Sequence, residues 1–92
     1  MTEIKDERTE GRYAAYSEGR RVGVAELRES DGVLILTHTE VEPAHEGTGV
    51  GSALARRAFD DARAEGHRVS PLCPFMREWV KRHPQYDDLV TG

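Results

Sequence analysis

With 92 residues, the chain is long enough for one small domain and too short for two hydrophobic cores. Thirteen Lys and Arg against seventeen Asp and Glu leave a net charge of −4, with the basic residues dispersed, so nucleic acid and anionic membranes are excluded as expected partners. No stretch approaches the ~18 consecutive apolar residues of a membrane helix. The polar start MTEIKDERTEGR lacks a signal peptide's apolar segment, and the single Cys73 cannot close an intramolecular disulfide, so a cytoplasmic protein held together by its core is expected.

Residues 1–10 are charged and aperiodic and read as a flexible tail or a short leading strand, which leaves 11–92 as a single domain. RYAAYSEGRRVGVAELRES then predicts a hairpin, with strands at about 12–18 and 21–29 turning at Glu18-Gly19; Val22, Val24 or Ala25, and Leu27 supply an approximate period of two. Asp31-Gly32 is a strong turn signal, and the unbroken apolar run Val33, Leu34, Ile35, Leu36 predicts a central strand covered on both faces. That strand ends at Val41, because Pro43 has no N–H for a ladder and biases Glu42 toward extended backbone.

From Thr48 or Gly49 to Glu65 the spacing predicts a helix. Val50, Leu54, Ala58 and Ala62 recur every four residues, and Gly66 supplies a left-handed stop. HRVSPLC reads as a short strand. PFMREWVKRHP reads as a second helix, with Pro74 in its first turn, Phe75, Met76, Trp79 and Val80 on one face and Pro84 past its end. The order strand, strand, strand, helix, strand, helix predicts an α/β (α+β) fold with two helices and a mainly antiparallel sheet. Its one parallel βαβ crossover joins the last two strands.

Between the third strand and the first helix lies VEPAHEGTGVGSAL, carrying Gly47, Gly49 and Gly51. A loop stripped of side chains at the mouth of a helix exposes backbone N–H donors at the positive end of the helix dipole, an arrangement that cradles phosphate. The plainer reading is a flexible helix entry with Thr48 and Ser52 as caps. A P-loop is excluded because Ser52 and Ala53 follow Gly51 where Lys and Ser or Thr are required, and a dinucleotide fingerprint lacks its third glycine.

Two further residues sit where chemistry is expected. Cys73 lies between the last strand and the helix starting at Pro74, and thiols at helix N-termini are more readily ionised; the alternative is a small buried apolar thiol. His38 lies late in the central strand, three residues before Val41, where a parallel strand end meets a ligand crevice; there it would act as a base beside the thiol or as a hydrogen-bonded structural residue. His45, His67 and His83 have no metal-ligand spacing and read as surface residues, so no metal is implied.

VEPAHEGTGVGSALARRAFDDA resembles the acetyl-CoA-binding motif of the GNAT N-acetyltransferase superfamily. With ILTHTEV and PLCPFMREWVKRHPQY, the chain from about Tyr13 onward is similar to a small one-domain family related to the vertebrate NATD-type acetyltransferase-like proteins. The resemblance implies a compact GNAT-like fold in which acetyl-CoA or CoA lies between the third and fourth strands. Gly47, Thr48, Gly49, Val50, Gly51 and Ser52 would bind the CoA pyrophosphate through backbone amides, and Val41 would lie beside the pantetheine. It also implies an active-site pair, Cys73 and His38, transferring acetyl to an unidentified amine acceptor in a monomer or weak homodimer. Two departures from the superfamily pattern point to the alternative of a CoA-binding module with little turnover: Glu46 stands where Arg or Gln is usual, and the last helix lacks the tyrosine that protonates the departing thiolate.

Overall fold

A computed structural model describes residues 2–92. Five strands, β1 (Thr2–Glu7), β2 (Arg12–Ser17), β3 (Arg20–Ser30), β4 (Val33–Val41) and β5 (Arg68–Pro71), form one sheet in chain order. Neighbours are antiparallel up to β4, and β5 runs parallel to β4. The crossover between these two strands is α1 (Val50–Glu65), and α2 (Pro74–Lys81) follows β5, so the expected architecture is the one observed. Gly66, at φ 73°, ends α1 as expected, its N–H reaching back to the last turn.

Of the two readings of the first residues, those described follow the short leading strand and not the flexible tail, since Thr2–Glu7 pair in register with β2 from Thr2↔Ser17 to Glu7↔Arg12. An edge strand needs little apolar periodicity when its ladder is supplemented by charge pairing. Glu7 accepts from Arg12 Nε at 2.7 Å and from the Tyr16 hydroxyl at 2.6 Å.

Just beyond β1, the Arg8 guanidinium donates to Asp6 at 2.8 Å, to Glu65 at 2.7 Å and to Glu29 at 3.3 Å, and lies 5.3 Å from the centre of the Tyr13 ring. One side chain thereby ties the ends of β1, β3 and α1 together. Its hydrogen bonds hold the Glu65 and Asp6 carboxyls below their ordinary range. A depressed carboxylate pKa contributes stability above the unfolded value and loses it as pH falls through the folded one, so this contribution is present at neutral pH and declines progressively as pH falls below about 4. Arg8→Ala is expected to cost about 1–2 kcal/mol in urea unfolding at pH 7, given the solvent screening of such pairs, and much less at pH 3. An equal cost at both pH values would show that the guanidinium acts through packing alone.

Both helices lie on one face of the sheet. Leu54, Ala58, Phe59 and Ala62 of α1 are buried against Tyr13, Ala15, Ala25, Leu27, Leu34 and Leu36. Gly23 of β3 lets the start of α1 approach closely, because a Cβ there would lie 3.0 Å from the Val50 side chain. Phe59 stacks on Trp79, and both rings contact Tyr86, which fastens α2 and the following turn to α1. Among the described residues, the opposite face carries neither α1 nor α2. On β4, Leu34 and Leu36 are buried while Val33 and Ile35 are only half-buried, so the expectation of cover on both faces is corrected. The unbroken apolar run reflects a strand paired on both edges rather than packed on both faces.

The β3–β4 register shifts between Glu26↔His38 and Leu27↔Leu36, leaving Thr37 as an extra residue. A bulge of this kind reverses which side chains face the core from that point on. Leu34 and Leu36 point at the helices before the bulge, and Thr39 and Val41 do so after it.

Candidate active site

The parallel ladder stops at Leu36↔Pro71, while β4 continues alone on that edge to Val41. Pro71 precedes the divergence. The Leu36 carbonyl accepts from both Leu72 N and Cys73 N, at 3.0 and 3.1 Å, which turns the chain out of the sheet and into α2. Between the freed end of β4 and α2 opens a cleft of about 550 Å³. Thr39 and Val41 form its floor, the loop from His45 to Ser52 forms one wall, and Phe75, Trp79, Arg82 and His83 form the other.

The three glycines of the loop have two different physical reasons. Gly47 and Gly49 have φ of 78° and 92°, backbone that L side chains rarely adopt, and both face open space. Gly51 lies inside the first turn of α1, where a Cβ would come within 2.8 Å of Phe75 Cζ. It is small so that α2 can close against α1. Gly51→Ala should therefore shift the Phe75 ring and lower stability. In a Phe75→Ala background the same change should stabilise by about 0.5–1 kcal/mol, the ordinary helix-propensity gain, and a double-mutant cycle by denaturant unfolding measures the sign change.

Gly49 caps α1 without a side-chain bond, and the Thr48 hydroxyl is turned back onto the His45 carbonyl. Ala53 N bonds Gly49 O at 2.9 Å as the first helical bond. Among the described residues, the N–H groups of Gly47, Gly49, Val50, Gly51 and Ser52 donate to no protein acceptor. Five amides at a helix mouth, on a stretch nearly bare of side chains, suit a phosphate group. The Ser52 hydroxyl accepts from Trp79 Nε1 at 2.8 Å, which joins the two walls of the cleft. Val50 is buried under the loop, and Glu46 is exposed at the rim as the one carboxylate among the lining residues.

The two residues expected to pair are not brought together. Cys73 is buried at the N-cap of α2, and its Sγ lies 3.2 Å from Thr39 Oγ1. His38 has 54% of its side chain exposed on the uncovered face and contacts Glu40 at 3.3 Å. The extra residue at Thr37 causes this: continuing the alternation of Leu34 and Leu36 would carry His38 inward, and the bulge gives that place to Thr39.

Sequence reasoning missed His45 and His83, which line the cleft instead of lying free on the surface. His83 was legible in one respect, since it falls four residues after Trp79 and so shares its helical face. The hydroxyls of all three tyrosines donate to carboxylates, Tyr13 to Asp61, Tyr16 to Glu7 and Tyr86 to Asp60. Burial and then the Asp60 contact raise the Tyr86 pKa, and none of the three tyrosines lines the cleft.

A splayed β4–β5 pair opening onto a glycine-lined helix mouth defines an α/β domain with a cleft along a strand end. The family model described as GCN5-related N-acetyl-transferase matches residues 12–89, and the chain belongs to that family. Protein NATD1 of Bos taurus is 35% identical over 52 residues, covering 56% of this chain and 46% of that protein, so the matched part spans about half of that relative. A GCN5-like protein from Staphylococcus aureus, solved by NMR, superposes with a TM-score of 0.76 at 24% identity over 98% of this chain and 88% of the other. The aminoglycoside N-acetyltransferase AAC(6')-Iy, solved in complex with CoA, gives a TM-score of 0.54 at 22% identity over 82% and 64% of the two chains. At these identities both are likenesses of fold.

Proposed function

We propose that this protein transfers the acetyl group of acetyl-CoA to an amine. The observation that carries the reading is the row of five unpartnered amides at the mouth of α1, adjoining the stretch of β4 that β5 leaves unpaired. Acetyl-CoA supplies the activated thioester. The loop amides of Gly47 to Ser52 hold the pyrophosphate, and Val41 and Thr39 line the path from there toward Cys73.

Cys73 takes part as the acetyl acceptor. Its sulfur bonds the acetyl carbon as the bond to the CoA sulfur breaks, and the Cys73 proton passes to the released thiol. The amine then takes the acetyl group, sheds one proton and restores the Cys73 thiol, so atoms balance over the cycle. Thr39, at 3.2 Å, orients the sulfur. His38 is adjacent to Thr39 in sequence and opens to the helix-free face with Glu40 beside it. It serves the incoming amine on that face as proton acceptor and does not activate the thiol.

Calorimetric titration of the wild-type protein with acetyl-CoA is the direct test. Saturable one-to-one binding is expected, and its absence overturns the reading. Binding without acetyl transfer to any of a panel of amines would reduce the protein to a CoA-binding module.

A further inference from the structure

The wall of the cleft opposite the glycine loop ends in Arg82 and His83. Arg82 is exposed and takes part in no ion pair among the described residues, whereas nearby Arg63 and Lys81 are bound to Asp88 and Glu78, and Arg77 donates to the Leu72 carbonyl. His83 is held in a single orientation. Its ring stacks on Trp79 with centroids 3.8 Å apart, and its Nδ1 lies 2.7 Å from the Trp79 carbonyl oxygen. A carbonyl only accepts, so Nδ1 carries the hydrogen, and Nε2 is left without a protein partner, able to donate to a phosphate oxygen only when the ring carries a second hydrogen. Trp79 is itself fixed by its bond to Ser52, so the loop, the indole and the imidazole form one connected unit.

We infer that Arg82 and His83 form a phosphate clamp for the nucleotide end of the CoA molecule, closing on it from the side opposite the loop amides. The inference rests on reading the cleft as a CoA site. Direction along α2 supports it. Cys73 stands at the start of this helix and the two basic residues at its end, about 15 Å further on at the helical rise, so the thioester and the phosphates fall at opposite ends of one wall. Charge supports it too, because a chain of net charge −4 keeps one carboxylate, Glu46, among the residues lining this cleft. A neighbouring depression that also touches Gly49 and Ser52 is the rival place for an anion: Arg56, 5.5 Å from the centre of the Trp79 ring and in no ion pair among the described residues, lines it beside Asp60 and an Arg57 engaged by Asp61.

The plain structural role for cations at this position is to complement the dipole at the end of α2. The two roles separate in one experiment. Wild type, Arg82→Gln, His83→Asn and Arg56→Gln are titrated calorimetrically with CoA and with 3'-dephospho-CoA, and their melting temperatures are recorded. Arg82→Gln is expected to weaken CoA about tenfold, the usual worth of a charge-assisted hydrogen bond, with its melting temperature unchanged. His83→Asn keeps a donor for the Trp79 carbonyl and should weaken CoA severalfold. A loss seen with CoA and absent with the dephospho form assigns the clamp to the 3'-phosphate; an equal loss with both assigns it to the pyrophosphate. An Arg82→Gln affinity within twofold of wild type overturns the clamp, as does a larger loss in Arg56→Gln or a fall in melting temperature that accounts for the weakening. Failure of the wild type to bind CoA would instead overturn the reading of the cleft itself.

Discussion

Gly49→Asp is expected to raise the Kd for acetyl-CoA by more than about 100-fold while leaving a folded protein. Two effects act together. At φ 92° any side chain is strained, which costs about 1–2 kcal/mol. The larger effect is electrostatic, since the new carboxylate would stand among the free amides of Gly47 to Ser52, accepting their hydrogen bonds and repelling the phosphates. Aspartate is among the best N-cap residues when the cap has extended backbone, and this position does not. The chain forgoes a side-chain cap and keeps the helix mouth bare. Gly49→Ala separates the two effects: it carries the strain without the charge and should weaken binding only severalfold. If Gly49→Asp bound acetyl-CoA as wild type does, the loop would have no part in the site.

The second large effect is expected at Cys73. Cys73→Ala and Cys73→Ser should each lower the turnover number by about 100-fold or more, the scale on which loss of an activated nucleophile is felt, with the Kd for acetyl-CoA changed by less than threefold. The serine variant preserves volume and the approach to Thr39 at this buried cap, so it excludes a packing explanation. Intact mass after incubation with acetyl-CoA should show one added acetyl group in wild type and none in either variant. His38→Gln divides the two halves of the reaction: the acetyl adduct should still form, and its transfer to amine should slow, because the imidazole stands on the uncovered face and not beside the sulfur. Loss of the adduct in His38→Gln would show that histidine and thiol act as a pair after all. An unchanged rate in Cys73→Ala would leave direct transfer from acetyl-CoA to the amine.

What could be read from the order of residues was whatever neighbours in the chain decide among themselves. Asp31-Gly32, Gly66 and Pro74 mark their turns and helix ends through local backbone preference. The four-residue recurrence of Val50, Leu54, Ala58 and Ala62 specifies a helix face, and a strand, a helix and a strand in succession specify a parallel crossover. The glycine loop was legible for the same reason. Strand β1 was legible only as one of two readings, because a charged edge strand is held by its ladder with β2 and by partners such as Arg12 and Tyr16 that sit on another strand.

The three glycines show where the division falls within one loop. Gly47 and Gly49 answer to their own dihedral angles, whereas Gly51 answers to Phe75, a residue of another helix that becomes its neighbour only on folding. His38 shows it more sharply. Alternation along the strand carries it toward the thiol, yet the hydrogen-bond register between β3 and β4 inserts Thr37 as an extra residue and turns it to the opposite face. The sequence by itself determined the elements from β2 onward, the crossover, the bare helix mouth and a thiol at the start of α2, because each depends on short-range sterics and periodicity. Tertiary structure alone decided that Thr39 meets that thiol, that His38 faces away, and that Arg82 and His83 line the cleft. These placements depend on register and helix packing between segments far apart in the chain.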